Sequence, residues 1–494
     1  MPTQSAVSVL NRFGLGARAG EIQRVHDPRG WLLEQITTSD SSPSAMSGLP
    51  SSVNYLLREA DYNRQRAMER RSQRLAASQI EPASDDPGVT RRGQGADKLR
   101  TSFRTSFGKD LQAEIAARYR VATTADAGFR ERLVHFWSNH FAISADKRTA
   151  SLYAAPMERE AIRPHVFGRF ENLLLAAETH PGMLRYLDNS QSVGEASMFA
   201  TRSARRRRKG QGDVMPRRKL GLNENLAREI LELHTLGVDG GYTQADVTEF
   251  ARAITGWGTP LARDLEAGQA VDSAFVFRAV AHEPGQRTVL GTRYTEGGVE
   301  QGRAILADLA RHPATARHLS MKLARHFVSD TPPPALVERM SQAYLRSEGD
   351  LGALYRAMID SDLAWGVQAR KFKTPSDYLV SAMRAGGIDA GVRSESMVAL
   401  LRQLGQPPFT PRSPAGFADT AADWTGPDAL WKRVQAAQAL AQRVPEQRSD
   451  PMRVANDVFG AALDTETMTA LRRAESARDG LALLFASPAF QWRT

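Results

Sequence analysis

The chain has 494 residues, 41% hydrophobic and 24% charged, a composition able to bury a core as one large domain or a few ordinary ones. It contains no cysteine, which excludes disulfides, thiolate metal sites and cysteine nucleophiles. The net charge of +10 is concentrated: nine basic and two acidic residues lie between 190 and 219, a local +7, so one segment is basic and not a broad nucleic-acid-binding surface.

In chain order, Asn11-Arg12-Phe13-Gly14-Leu15-Gly16 looks like a dinucleotide loop, but Gly20 falls one place late and no strand–helix unit follows, so a tight turn is expected. Residues 55–77, rich in Arg, Glu, Gln and Ala, suit a charged surface helix. Residues 78–97 mix Pro, Gly, Ser and Asp and are expected to form a flexible loop. Helical patterning resumes near Lys109 and runs to Asn189. The segment 190–219 reads as a disordered basic insertion whose Arg205–Lys209 suits an anionic ligand; no motif for sequence-specific nucleic-acid binding accompanies it.

Helices are predicted over about 224–236, 244–255, 299–310, 314–328 and 334–346, with a C-terminal helical portion over 386–494. One β-hairpin is expected near 274–291. Phe275, Phe277 and Ala279 alternate with their neighbours, Glu283-Pro284-Gly285-Gln286 turns, and Thr288-Val289-Leu290 returns. The predicted fold class is therefore predominantly all-α: an irregular multi-helix array around one core, a single domain over 1–494. No apolar run reaches the roughly 18 residues of a membrane span. The first thirty residues lack the pattern of a signal peptide, so the chain as written is expected in the cytoplasm.

Three segments carry polar chemistry. In Leu222–Gly237, Asn223 suits an N-cap, Glu224 favours the positive helix start and Gly237 suits the position after the C-cap. At about 100° per residue, Glu224, Asn225, Arg228, Glu229 and Glu232 share one arc, while His234 falls among Leu226, Ala227, Ile230, Leu231 and Leu233. Two arrangements fit this pattern. One is a solvated face with i,i+4 ion pairs and His234 hydrogen-bonded in the core; the other is a cleft wall where three carboxylates and a guanidinium bind a cation or polar substrate.

In Glu131–Phe141, the residues Glu131, His135 and Asn139 stack on one face, and His140 joins Leu133, Trp137 and Phe141 inside. Two interior histidines on separate helices, His140 and His234, are the stronger hint of a site. His180–Asn189 reads as capping and turn structure around Pro181. Thr243-Gln244-Ala245-Asp246 reads as a capping box. There is no H-E-x-x-H, G-x-S-x-G, phosphate-loop or zinc-ribbon spacing.

Phe136–Phe141, His180–Asp188 and Asn223–Gly237 resemble the signature blocks of the bacterial DUF1800 family. The likeness continues through Tyr242–Val247, Thr255–Trp257, Leu290-Gly291, Lys322, Lys371–Pro375 and Ala486–Gln491. The resemblance implies no activity and no catalytic residues, because the family is named for unknown function. It implies export in many members, and a partner from a neighbouring gene similar to alkaline phosphatases and sulfatases. His282-Glu283 departs from the His-Asp common in relatives, which weakens a specific role for an acid there.

Two functional classes follow. An enzyme or ligand-binding protein would use Asn139, His140, Arg228, Glu229, Glu232 and His234 between the central helices. Histidine would act as general base or ligand, glutamate as acid, base or ligand, and Arg228 as an anion clamp. Such nitrogen and oxygen donors suit a divalent metal, Zn, Mn or Fe. A non-catalytic helical scaffold would instead bind the phosphatase- or sulfatase-like partner, or an anionic polymer, through 190–219.

Overall fold

Apolar residues three and four apart build helices over 65% of the chain in the computed structural model. The structure describes residues 4–37, 42–77, 88–208, 221–261, 264–265, 273–366, 369–391 and 394–493. Among them, strands form only three two-stranded sheets, so the predominantly all-α expectation holds.

The charged helix α1 (Ser52–Ala77) lies against α2 (Gly88–Thr124), where Tyr62 stacks on Phe103 with ring centroids 3.9 Å apart. Residues 88–97, expected in a loop, are the first turns of α2. Residues 78–87 lie outside the described residues. The largely buried α3 (Gly128–His140) and α4 (Phe170–Thr179) pass through the main core.

The expectation of disorder over 190–219 is corrected for its first part. The Gly194 N–H donates to the Ala281 carbonyl at 2.9 Å and the Ala196 N–H to Glu283 Oε2 at 2.8 Å, anchoring the start of α5 (Met198–Arg208). Those anchors sit more than eighty residues along the chain, so local composition carries no sign of them. Residues 209–219 are outside the described residues.

The predicted 224–236 helix appears as α6 (Asn225–Glu229) running into a π turn, Ile230–His234. The expected capping box of Thr243 and Asp246 opens α7 (Gln244–Ala253). Later helices fall where periodicity puts them: α8 (Val299–Arg311), α9 (Pro313–Phe327) and α10 (Pro334–Arg346).

The β region pairs differently from expectation. Strand β1 (Trp257–Gly258) pairs antiparallel with β2 (Val276–Phe277), and β3 (Arg287–Val289) with β4 (Thr292–Tyr294). The tight turn is Leu290-Gly291, both at positive φ (51° and 76°), as a two-residue hairpin turn requires. A 3₁₀ turn over Ala279–Ala281 diverts β2 away from β3.

Two large apolar clusters stand where one core was expected. The first joins Phe13, Phe129, Trp137, Phe170, Leu231 and Leu319; the second joins Tyr119, Tyr378, Leu401, Leu440 and Phe485. The C-terminal helices bury their faces mainly on one another, as α12 (Pro427–Ala441) does on α13 (Ala477–Ala486), and the apolar side chains of α11 (Pro375–Gly386) belong to the second cluster with them. Phe409 packs against both clusters. At the seam, β5 (Lys371–Phe372) pairs with β6 (Trp492–Arg493), bringing Arg493 back to the middle of the molecule.

Candidate functional site

The seam holds a cavity of about 280 Å³, near the lower end of small-molecule pockets. Its walls are the end of α3 from His135 onward, one face of α9, the loop Gln406–Thr420, and Thr374, Ser376 and Asp377 at the start of α11. Pro407, Pro408, Pro411 and Pro414 keep that loop out of regular structure. Asn139 clasps it: the side-chain amide donates to the Phe417 carbonyl at 2.9 Å and accepts the Phe417 N–H at 2.7 Å. Gly416, at φ +83°, passes so close that a Cβ would stand 2.4 Å from the Asn139 carbonyl oxygen.

On α9, His318, Lys322 and His326 recur every four residues beside the apolar stripe Leu319, Leu323 and Phe327. His326 Nδ1 donates to Asp419 Oδ2 at 2.9 Å, and its Nε2 is buried without a hydrogen-bond partner among the described residues. A carboxylate only accepts, so the pair selects the Nδ1–H tautomer and leaves Nε2 as the basic nitrogen. Burial lowers His326 below its ordinary value more than Asp419 raises it, and the ring is neutral at pH 7.

Burial alone would raise Asp419, but His326, Lys371 and Arg493 together hold it below the usual carboxylate range. Lys371 donates to Asp330 and stands 3.7 Å from Asp419 Oδ1. The fully buried Arg493 stands 3.9 Å from that oxygen and 3.7 Å from Asp377 Oδ2. Asp377 also accepts from Arg132 at 3.0 Å.

Lys322 is half-buried in the wall, one turn before His326. Burial lowers its amine to about 8; Asp419 opposes the shift and Arg325 adds to it. His140 and His318 lie beside it, and their Nε2 atoms donate to the carbonyls of His234 and Leu233, each at 3.1 Å. Those carbonyls are free because the π turn ends the helix there. Both imidazoles are neutral at pH 7: burial holds His140 well below its ordinary value and His318 at about 4.

Of the six residues singled out from sequence, Asn139 and His140 line the cavity. His234 is fully buried behind it, its ring 5.9 Å from that of His140 and its Nδ1 2.7 Å from the fully buried Glu178 Oε1. Arg228, Glu229 and Glu232 are half-buried elsewhere on the same helix and do not line the cavity. Arg228 donates to Glu224 and Gln244, and Glu224 accepts from Gln244 and Thr248, a closed surface network. Glu232 accepts from the Tyr242 hydroxyl at 3.4 Å.

Lys322 entered the sequence reading only through the resemblance, and His326 and Asp419 were not singled out. The available signal was the four-residue spacing of polar side chains along an otherwise amphipathic helix. Among the described residues, no three histidine or carboxylate side chains converge as metal ligands.

Ser52, His180 and Glu160 have the composition of a catalytic triad but not its wiring. His180 Nδ1 accepts the Gly182 N–H at 3.1 Å, so Nε2 carries the proton facing Ser52 Oγ (3.0 Å) and Glu160 (3.4 Å). The histidine caps the helix Pro181–Tyr186, whose start falls at Pro181 as expected from the sequence.

No helix among the described residues is long and apolar enough to cross a membrane. No curated protein and no solved structure matches the chain. The model of a family described as "Protein of unknown function (DUF1800)" matches residues 8–492, nearly the whole length, and the chain therefore belongs to the DUF1800 family.

Proposed function

We propose that the chain is an enzyme that transfers protons on a small polar molecule held in the seam cavity, with His326 as the general base and acid. The observation that carries this is the 2.9 Å Nδ1–Asp419 contact together with a buried, unpaired Nε2 in a cavity wall. A neutral imidazole whose tautomer is held by a carboxylate takes a proton at Nε2 and gives it back, a contribution of about 10²–10⁴-fold. Asp419 is the positioning residue, and Asn139 holds the loop over the cavity. His140 forms a neutral part of the wall, and His234 supports it through the carbonyl that His140 binds. Arg228, Glu229 and Glu232 stay outside this scheme, and no metal enters it.

Histidine-selective ¹⁵N NMR tests the central point without a known substrate. His326 should appear at pH 7 as the neutral Nδ1–H tautomer, and Asp419→Asn should disturb that preference. A panel of ester, lactone, amide and phosphoester substrates should yield a turnover that falls at least about 100-fold in His326→Gln. A charged His326 at pH 7, an Nε2–H tautomer, or turnover indifferent to His326→Gln would each overturn the assignment.

The second class, a scaffold for a phosphatase- or sulfatase-like partner, draws support from a different face. The Glu224–Arg228–Gln244–Thr248 network is closed at a half-buried surface, and Arg202 and Arg205 on α5 are exposed to an anionic contact. Copurification of the partner that survives His326→Gln but is lost on neutralising Arg202 and Arg205 would favour it.

A further inference from the structure

The cavity wall has an imbalance of charge that the dyad does not use. Each carboxylate lining it is already met by a cation of the protein. Glu158 accepts from Arg118 through both oxygens (2.9 and 2.7 Å), Asp377 accepts from Arg132, and Asp419 is shared by His326, Lys371 and Arg493. Lys322 and Arg325 are lining cations with no carboxylate in ion-pair reach among the described residues. They are three apart on α9 and so share one side of the helix, with His326 next to both. The histidines nearest Lys322, His140 and His318, are neutral and supply no counter-charge. A half-buried ammonium without an anion is costly to keep, and a ligand that brings the anion removes that cost.

We infer that the cavity binds a small oxoanion, a carboxylate, phosphate or sulfate group, on Lys322, one helical turn before His326, and Arg325, the residue beside it. The inference rests on the seam cavity being the functional site and names the class of substrate that site takes. Lys322 supplies a compact positive charge and Arg325 a planar fork that matches two oxygens of the anion. The cavity, at about 280 Å³, suits a metabolite-sized acid and not a polymer.

The groups facing Lys322 are Asp419 from the loop, Arg325 and His318 on its own helix, and His140 from α3. Of these, Asp419 is engaged by His326 and Lys371 and the two histidines are uncharged, so the incoming anion is the partner that Lys322 lacks. Binding is then coupled to the Lys322 proton: affinity holds below about pH 8 and falls roughly tenfold per pH unit above it.

Isothermal titration of the full chain with inorganic phosphate, sulfate and succinate at pH 7 tests this, alongside Lys322→Met, Arg325→Met, His326→Gln and the α5 variant Arg202→Gln/Arg205→Gln. At least one of the three anions should bind at millimolar concentration or tighter, and whether phosphate, sulfate or succinate wins identifies the acid group. Either α9 cation variant should lose tenfold or more in affinity, and Lys322→Met should also lose the fall above pH 8. The thermal midpoint of each variant, measured in parallel, shows that it is folded; Arg325→Met alters an exposed side chain and serves as the test if Lys322→Met does not fold.

Retained binding in His326→Gln supports the anion site even if the proton-transfer assignment fails, so the two proposals fall separately. No binding by any of the three anions, binding unchanged in both α9 variants, or binding lost only in the α5 variant would overturn the inference.

Discussion

Acid should weaken this fold through its buried neutral histidines, and His318 provides the best-defined measure. Its folded value is about 4, against 6.5 for an unperturbed imidazole. Between those two values the unfolded chain binds a proton that the folded chain does not. Stability is therefore complete above pH 6.5 and falls as the pH drops toward 4. At 1.36 kcal/mol per unit, His318 alone removes about 3 kcal/mol over that window, a large share of a typical 5–15 kcal/mol. Burial is the main cause and Lys322 adds to it by opposing a second charge; the Leu233 carbonyl, which accepts from Nε2, pulls the other way without offsetting them, and Nδ1 faces Gly237 so closely that a Cβ there would be 2.8 Å away. Urea unfolding of the wild type and of His318→Asn from pH 4.5 to 7.5 isolates this contribution, because His140 and His326 shift both proteins in the same direction. The loss on acidification should be smaller in the variant by about 2–3 kcal/mol. Identical pH profiles for the two proteins, or a wild type as stable at pH 4.5 as at 7.5, would refute the picture of a neutral buried cluster.

Asp419→Asn removes the charge shared by His326, Lys371 and Arg493, while Lys371 keeps Asp330 and Arg493 keeps Asp377. It should lower the unfolding free energy by about 1–3 kcal/mol, read as a reduced urea midpoint. Asn139→Ala breaks both hydrogen bonds to Phe417; expected are a loss of about 1–3 kcal/mol and faster proteolytic cleavage within 406–420. Glu229→Gln acts in the opposite direction. Burial raises Glu229 above its ordinary value and Glu232 adds to the shift, so its charge opposes folding at neutral pH. The variant should gain up to about 1 kcal/mol at pH 7, with the gain fading toward pH 4 as the wild-type carboxyl takes up a proton.

Local rules written in the sequence were enough for the helices and several of their ends. Apolar spacing places α8, α9 and α10 within a residue or so, because each helix buries one stripe whatever its neighbour is. Thr243 and Asp246 form their capping box because both partners lie within one turn. The same periodicity puts His140 and His234 inside, where both are buried. It also puts Arg228 on one arc with Glu224, and the two pair there.

Tertiary structure alone decided what each buried face meets. His326 finds Asp419 across 93 residues, His234 stands against Glu178 on α4, and Arg493 returns from the chain end to Asp377 through β5–β6 pairing. The β pairing of Val276 with Gly258 and the anchoring of 194–196 on 281–283 are contacts of the same long-range kind. Helical periodicity reports which side of a segment leaves water, not which partner awaits it. A charged residue that looks like a surface group becomes part of a cavity wall only when a second element, here a proline-rich loop held by one asparagine, closes over it.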